Sequence, residues 1–294
     1  MSNDQMNIQW YPGHMTKTRR QMEADVKLVD AVCEIVDARI PVSSRNPDID
    51  SIFGNKPRII ILNRMDLADP AGTKEWIASY KRQGITAIAM DCKNRRGVAD
   101  FEPAVRLILQ QKIQRDAAKG MNRPVKLMVV GIPNVGKSTL INAISGRKGA
   151  KAENRPGVTR GKQWVTVSQG LLLLDTPGIL WPKFEDPEVG MMLAYTGAVK
   201  EDVLDLEELS SRLMELLWKR YPEAVKARYN LDCPQEMTGY ELLTEAGRKR
   251  GLLLARGEIN TERMARVLLE EFRSGKLGRF TLELPLKEAQ HGED

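Results

Sequence analysis

The sequence predicts an α/β chain: a mostly parallel sheet followed by a small all-helical C-terminal domain. Three observations predict it. Short β-branched runs at residues 31–36, 58–62 and 85–90 alternate with helical patterns, as buried parallel strands joined by crossovers do. A glycine-rich loop, Gly131 to Ser138, stands between an apolar run at 126–130 and a helical stretch at 138–144. Beyond residue 200 only 3.6-residue periodicity remains.

Each element follows from local pattern. Residues 16–29 carry Met22, Val26 and Val29 at i, i+4 and i+7, one face of a helix, and residues 101–113 carry Val105, Ile108 and Leu109 in the same way. Residues 112–123 read as a basic connector between two strand groups. Residues 164–167 and 171–174 read as two antiparallel strands that turn at Gln169 and Gly170. In the tail, Leu206, Leu209, Leu213, Leu216 and Leu217 keep helical spacing. A last helix holds Met264, Val267, Leu268 and Phe272 between an Asn260 N-cap and a Gly275 stop.

The chain has 294 residues, 42% apolar and 29% charged, enough apolar content for a packed core and room for two domains. Three widely spaced cysteines, Cys33, Cys92 and Cys233, argue against a disulfide framework or a zinc knuckle, and fit a reducing cytoplasm. Neither a signal-peptide pattern at the start nor a run of about 18 apolar residues occurs, so secretion and membrane spanning are not expected. The net charge is +6, yet it is uneven: 30 basic and 20 acidic residues up to residue 200, then 15 basic and 19 acidic. That surplus favours a polyanionic partner for the first part of the chain.

Gly131-Ile-Pro-Asn134-Val135-Gly136-Lys137-Ser138, with Thr139 behind it, is a G-x-x-x-x-G-K-S loop. Its backbone N–H groups wrap phosphates, Lys137 neutralises the β and γ oxygens, and Ser138 offers a hydroxyl to Mg²⁺. Asp175-Thr-Pro-Gly178 ends an apolar run, which suits Asp175 for a water-mediated Mg²⁺ contact and Gly178 for an N–H to the γ-phosphate. Thr159 lies in a basic stretch with no period and can complete Mg²⁺ coordination only when a γ-phosphate is present. Asn63-Arg64-Met65-Asp66 resembles the N-K-x-D guanine motif of GTPases, with Arg in place of Lys. Asp66 would accept from guanine N1–H and N2–H₂, Arg64 would stack on the base, and Asp91-Cys92-Lys93 after the third strand is the candidate backbone loop against it.

The order is unusual. The guanine motif precedes the phosphate loop, then come Thr159 and Asp175, so the chain reads as a circularly permuted P-loop GTPase domain whose old termini are joined through 112–123. The permuted order, the string Ile8, Trp10, Tyr11, Pro12, Gly13, His14 and Met15, the string Asp37, Arg39, Pro41, Ser44, Asn46 and Pro47, and the stretch 263–279 together resemble the YlqF/RbgA-type permuted ribosome-assembly GTPases. The resemblance implies GTP as substrate and His14 as the catalytic histidine, since Ile179 stands where Ras-like GTPases carry a water-orienting Gln. It also implies an Asn134-bound K⁺ beside the phosphates.

The division expected is a segment 1–30 packed on the GTPase domain, the permuted domain 31–200, and a helical RNA- or ribosome-binding domain 201–294. Residues 182–192 would transmit nucleotide state to that tail, and the basic stretches at 248–250 and 273–279 would touch rRNA. The implied function is a GTP-hydrolysing factor for late maturation of the large ribosomal subunit, with subunit precursors (rRNA and ribosomal proteins) as partners. A nucleotide-gated RNA-binding scaffold with vestigial hydrolysis is the alternative. A sister-type factor of the small subunit fits less well, for want of zinc cysteines and an OB segment.

Overall fold

The computed structural model describes residues 15–146, 163–168, 170–178, 180, 186–199, 205–232, 236–255 and 257–286. The expectations on His14, Thr159, Ile179 and Cys233 lie outside these residues, as does most of the basic stretch around Thr159.

Six strands form one sheet: β1 Ala31–Asp37, β2 Arg58–Asn63, β3 Thr86–Met90, β4 Val125–Val130, β5 Trp164–Ser168 and β6 Leu171–Asp175. Their order is β3-β2-β1-β4-β6-β5, and every described pairing is parallel except that of the β5/β6 hairpin. β1 and β4 occupy the centre, and the runs Val32 to Val36 and Leu127 to Val130 are almost wholly buried, as strands covered on both faces require. Parallel strands bring their C-terminal ends to one edge, so Asp37, Asn63 and the loop after Val130 meet there.

Helix α1 (Met15–Asp25) continues into a single 3₁₀ turn, Val26 to Leu28, and buries Met22, Val26 and Val29 against Val32, Met128 and Trp164. Short α2 (Asp48–Phe53) and α3 (Pro70–Arg82) follow β1 and β2, the second capped by Asp69. After β3 come α4 (Phe101–Ile108) and α5 (Gln110–Ala118). The expected connector 112–123 is thus helical up to Ala118. No Gly or Pro interrupts it before Gly120, which ends it at φ +68°, and Lys112 reaches Asp116 one turn on.

Helix α6 (Lys137–Ser145) follows the phosphate loop, and α7 (Pro187–Tyr195) is capped by Asp186. The tail comprises α8 (Leu206–Arg220), α9 (Pro222–Tyr229), α10 (Gly239–Lys249) and α11 (Thr261–Ser274). Asp205 caps α8, Asn260 caps α11 through the Arg263 N–H at 2.9 Å, and Thr238 with Glu241 forms a capping box on α10. Leu209, Leu213, Leu217 and Phe272 share one continuous apolar cluster with Ile35, Ile61 and Leu127 of the sheet. The tail therefore packs on the sheet layer through a shared core. Among the described residues, no helix is long and apolar enough to cross a membrane.

Candidate functional site

The phosphate loop leaves β4 at Gly131 and enters α6 at Lys137. Gly136 holds φ +109°, and a Cβ there would come within 2.3 Å of the Asn63 amide nitrogen, so only glycine lets the loop pass β2. Lys137 folds back, donating to the carbonyls of Gly131 at 3.1 Å and Ile132 at 2.9 Å. Burial pushes its ammonium down to about 8, against a smaller opposing pull from Asp175. Ser138 and Thr139 are exposed on the first turn of α6.

Asp175 ends β6 beside Val129 of β4. Burial raises its carboxyl above the ordinary value, while Lys137 and the Thr176 amide pull the other way. Thr176 anchors the turn by donating to the Val129 carbonyl at 2.5 Å. A Cβ on Gly178 would meet Lys137 Nζ at 2.7 Å and Pro133 Cα at 2.9 Å, which places this turn directly against the phosphate loop.

The guanine-type motif is built around Asn63. Its side-chain nitrogen donates to the Val135 carbonyl at 2.8 Å, and its oxygen accepts from the Cys92 amide at 3.3 Å. One buried amide thereby ties β2, the phosphate loop and the loop after β3 together. Arg64, at φ +60°, donates to the Asn134 carbonyl at 2.7 Å and lies 3.7 Å from Asp37. Between these elements opens a cavity of 410 Å³, lined among others by Arg64, Asp66, Lys93, Asn134, Thr139 and Arg273. Asp66 is half-buried in its wall.

The expected residues thus divide. Arg64, Asp66, Asn134 and Thr139 line the cavity, and Asn63 and Gly136 border it from the loop. Cys92 and Val135 are buried behind it, while Asp91 and Lys93, which flank Cys92 in the expected backbone loop, line it. Arg273 and Ser274, from α11, also line it. The sequence assigned residues 273–279 to rRNA, but both arginines of the stretch bond to carbonyls of the fold, Arg273 half-buried and Arg279 from an exposed position. Arg273 donates to the Tyr195 carbonyl at 2.9 Å and the Ala194 carbonyl at 2.5 Å, capping the C-terminus of α7, and Arg279 donates to carbonyls of the guanine-motif loop. The helical spacing put Phe272 in the core, which places Arg273 beside it at the helix end, but the partner carbonyls are far off in sequence.

Asp37 and Arg39 form a second buried feature at the same sheet edge. Burial alone would raise the Asp37 carboxyl, but the Arg39 fork, helped by Arg64, holds it below the ordinary carboxylate range.

Residues 126–213 match the family model described as 50S ribosome-binding GTPase, a span that begins in β4 and leaves the Asn63 to Asp66 motif upstream. The ribosome biogenesis GTPase A of Priestia megaterium is 48% identical over 97% of this chain and 99% of that protein. That of Bacillus cereus is 45% identical over 98% of each. The chain belongs to the ribosome biogenesis GTPase A (RbgA/YlqF) family. The GDP-bound structure of TM YlqF is similar in fold: TM-score 0.66 at 28% identity, covering 90% of this chain and 99% of that one. Family membership makes the chain a GTPase with a circularly permuted order, which is the order in which its guanine motif and phosphate loop are found.

Proposed function

We propose that this GTPase acts in late maturation of the large ribosomal subunit in the cytoplasm, binding rRNA in a nucleotide-dependent way and hydrolysing GTP faster on the subunit. The observation that carries the reading is the cavity between Asp66 and the phosphate loop, where the Asp66 carboxylate lines the space a guanine needs and the phosphate loop beside it holds the buried Lys137 ammonium. The relatives' name, ribosome biogenesis GTPase, supplies the partner. The tail, residues 201–294, is the proposed RNA-contacting module.

Lys137 takes the β and γ oxygens, the N–H groups of residues 134–139 cradle them, and Gly178 offers its N–H to the γ-phosphate. Asp175 and Ser138 fit Mg²⁺: a half-buried carboxyl with raised proton affinity lacks a full counter-charge, and Mg²⁺ takes one or two protein oxygens beside waters and phosphates. Thr159 would join this set. Mg²⁺ bound there would neutralise charge on the transferring phosphoryl group. Asn134 is exposed, its nitrogen 3.5 Å from the Gly197 carbonyl, and among the described residues nothing donates to its oxygen, which suits it for K⁺. His14 is the proposed water-orienting group.

Single-turnover hydrolysis tests this reading. Large subunits are expected to raise the rate by at least tenfold, more in K⁺ than in Na⁺ at equal ionic strength, and His14→Ala is expected to remove that stimulation. No stimulation by large subunits, or stimulation by small subunits only, overturns the partner assignment. Equal stimulated rates for His14→Ala remove the histidine from the mechanism.

Lys137 gives a pH signature. Its folded-state value lies below the unfolded one, so the nucleotide-free protein binds fewer protons than the unfolded chain between about pH 8 and 10.5, and its stability rises with pH across that window. A bound phosphate favours the charged amine. GDP binding is therefore expected to take up about half a proton at pH 8 and close to one at pH 9, with affinity falling toward tenfold per pH unit above pH 8. Calorimetry in buffers of different ionisation enthalpy reads the uptake. A proton count of zero at both pH 8 and pH 9 would show that phosphate binding does not change the charge of Lys137.

A further inference from the structure

Beyond α11 the chain runs across the guanine-motif loop. The Arg279 guanidinium donates to the Met65 carbonyl at 2.8 Å and to the Ala68 carbonyl at 3.1 Å, and the Phe280 amide donates to the Leu67 carbonyl at 2.9 Å. Two adjacent residues thus hold three carbonyls of the loop that carries Asp66. A Cβ on Gly275 would come within 2.7 Å of Leu67 Cδ2, so the backbone itself lies against the loop.

This strap is fixed at both ends. Arg273 is tied to the end of α7, as described above. Further on, the Leu282 amide donates to the Arg39 carbonyl at 2.7 Å, and the Trp76 indole donates to the Glu283 carbonyl at 2.7 Å. The Glu283 carboxylate accepts from the Val42 and Ser43 amides. Tyr221, which follows α8, donates to the Thr281 carbonyl at 3.0 Å. The strap therefore joins the tail helices to the base-reading side of the nucleotide cavity, the side opposite the Asp175 turn.

A carboxylate that accepts two parallel bonds from guanine must be held to within about 0.5 Å, and a loop achieves that only when its own backbone is fixed. The geometry points to Arg279 as a positioning residue for guanine recognition, acting through the Met65 to Ala68 loop, and to the strap as a coupling between tail and base affinity. This rests on Asp66 as the guanine carboxylate. Linkage makes the coupling reciprocal: a partner that lifts the strap weakens guanine binding, and guanine nucleotide tightens the strap.

The test compares GDP with inosine diphosphate, which lacks the 2-amino group and so one of the two bonds to Asp66. Wild type is expected to prefer GDP. In Arg279→Ala and Arg279→Gln, GDP affinity is expected to drop about tenfold, the worth of a charge-assisted bond, and the GDP-to-inosine preference to shrink toward one. Arg279→Lys keeps a single point donor and lies between. A merely destabilised protein would lose both ligands equally and keep the ratio, so an unchanged ratio in both variants overturns the proposal. A wild type without preference for GDP overturns the Asp66 reading together with it. In unmutated protein, saturating GDP is expected to slow amide exchange at Phe280 and Leu282 at least fivefold, and equal exchange with and without GDP also overturns the coupling.

Discussion

Asp66→Asn is expected to lower GDP and GTP affinity by about 100- to 1000-fold and to admit xanthosine nucleotides instead. A carboxylate presents two acceptors to guanine N1–H and N2–H₂. Asparagine replaces one acceptor by a donor, so two donors face each other in a half-buried wall, and an unpaired group there costs its full desolvation. Xanthine carries a carbonyl where guanine carries the amino group and restores the match. Fluorescence titration with labelled GDP and xanthosine diphosphate reads both changes. The effect should not spread to the phosphate end, because Asn63, not Asp66, ties this loop to the phosphate loop through the Val135 carbonyl. Unchanged GDP affinity in the variant would show that the base is read elsewhere.

What the sequence made legible is local. The phosphate loop lies within eight residues, the cap at Asn260 acts within three, and β1 and β2 announce themselves as β-branched runs, so these stand where periodicity and spacing put them, while the run at 85–90, expected to be buried, forms a half-buried edge strand. The guanine motif was legible as a string, but the task of Asn63 was not, because its partners Val135 and Cys92 come from two other loops. The tail arginines show the limit most plainly. Arg273 and Arg279 look alike in a basic run that also holds Lys276, yet Lys276 lies outward near Glu270 while Arg279 spans more than 200 residues of chain to reach Met65. A charge pattern records how many cations a segment has, not which of them meet carbonyl groups. The same holds for Asp37 and Arg39: the string stood out by resemblance, while its burial follows only from the sheet edge and α11 closing over it.

Arg39→Met is expected to cost about 3–5 kcal/mol of stability, a large part of the roughly 5–15 kcal/mol that holds a folded protein. Arg39 has no exposed surface, forks onto Asp37 through Nε at 3.0 Å and Nη2 at 2.8 Å, and lies over the Phe272 ring at 5.2 Å. Methionine fills much of that space but leaves the Asp37 charge buried, with Arg64 at 3.7 Å as the one ion-pair partner left to it among the described residues. The double variant Asp37→Leu/Arg39→Met removes both charges, and is expected to recover most of the loss, because two apolar side chains need no counter-charge. The pH dependence separates this account from simple repacking. In wild type the Asp37 carboxyl is held below its unfolded value, so the pair stabilises the fold above the unfolded carboxylate range and that stability is lost as pH falls through the folded value. In Arg39→Met, burial without the fork raises the carboxyl instead, so the deficit against wild type narrows as pH falls toward the carboxylate range. Urea unfolding of the three proteins at neutral and mildly acidic pH measures this. A double variant no more stable than the single one would mean that Arg39 acts by packing against Phe272 and the tail rather than by neutralising Asp37.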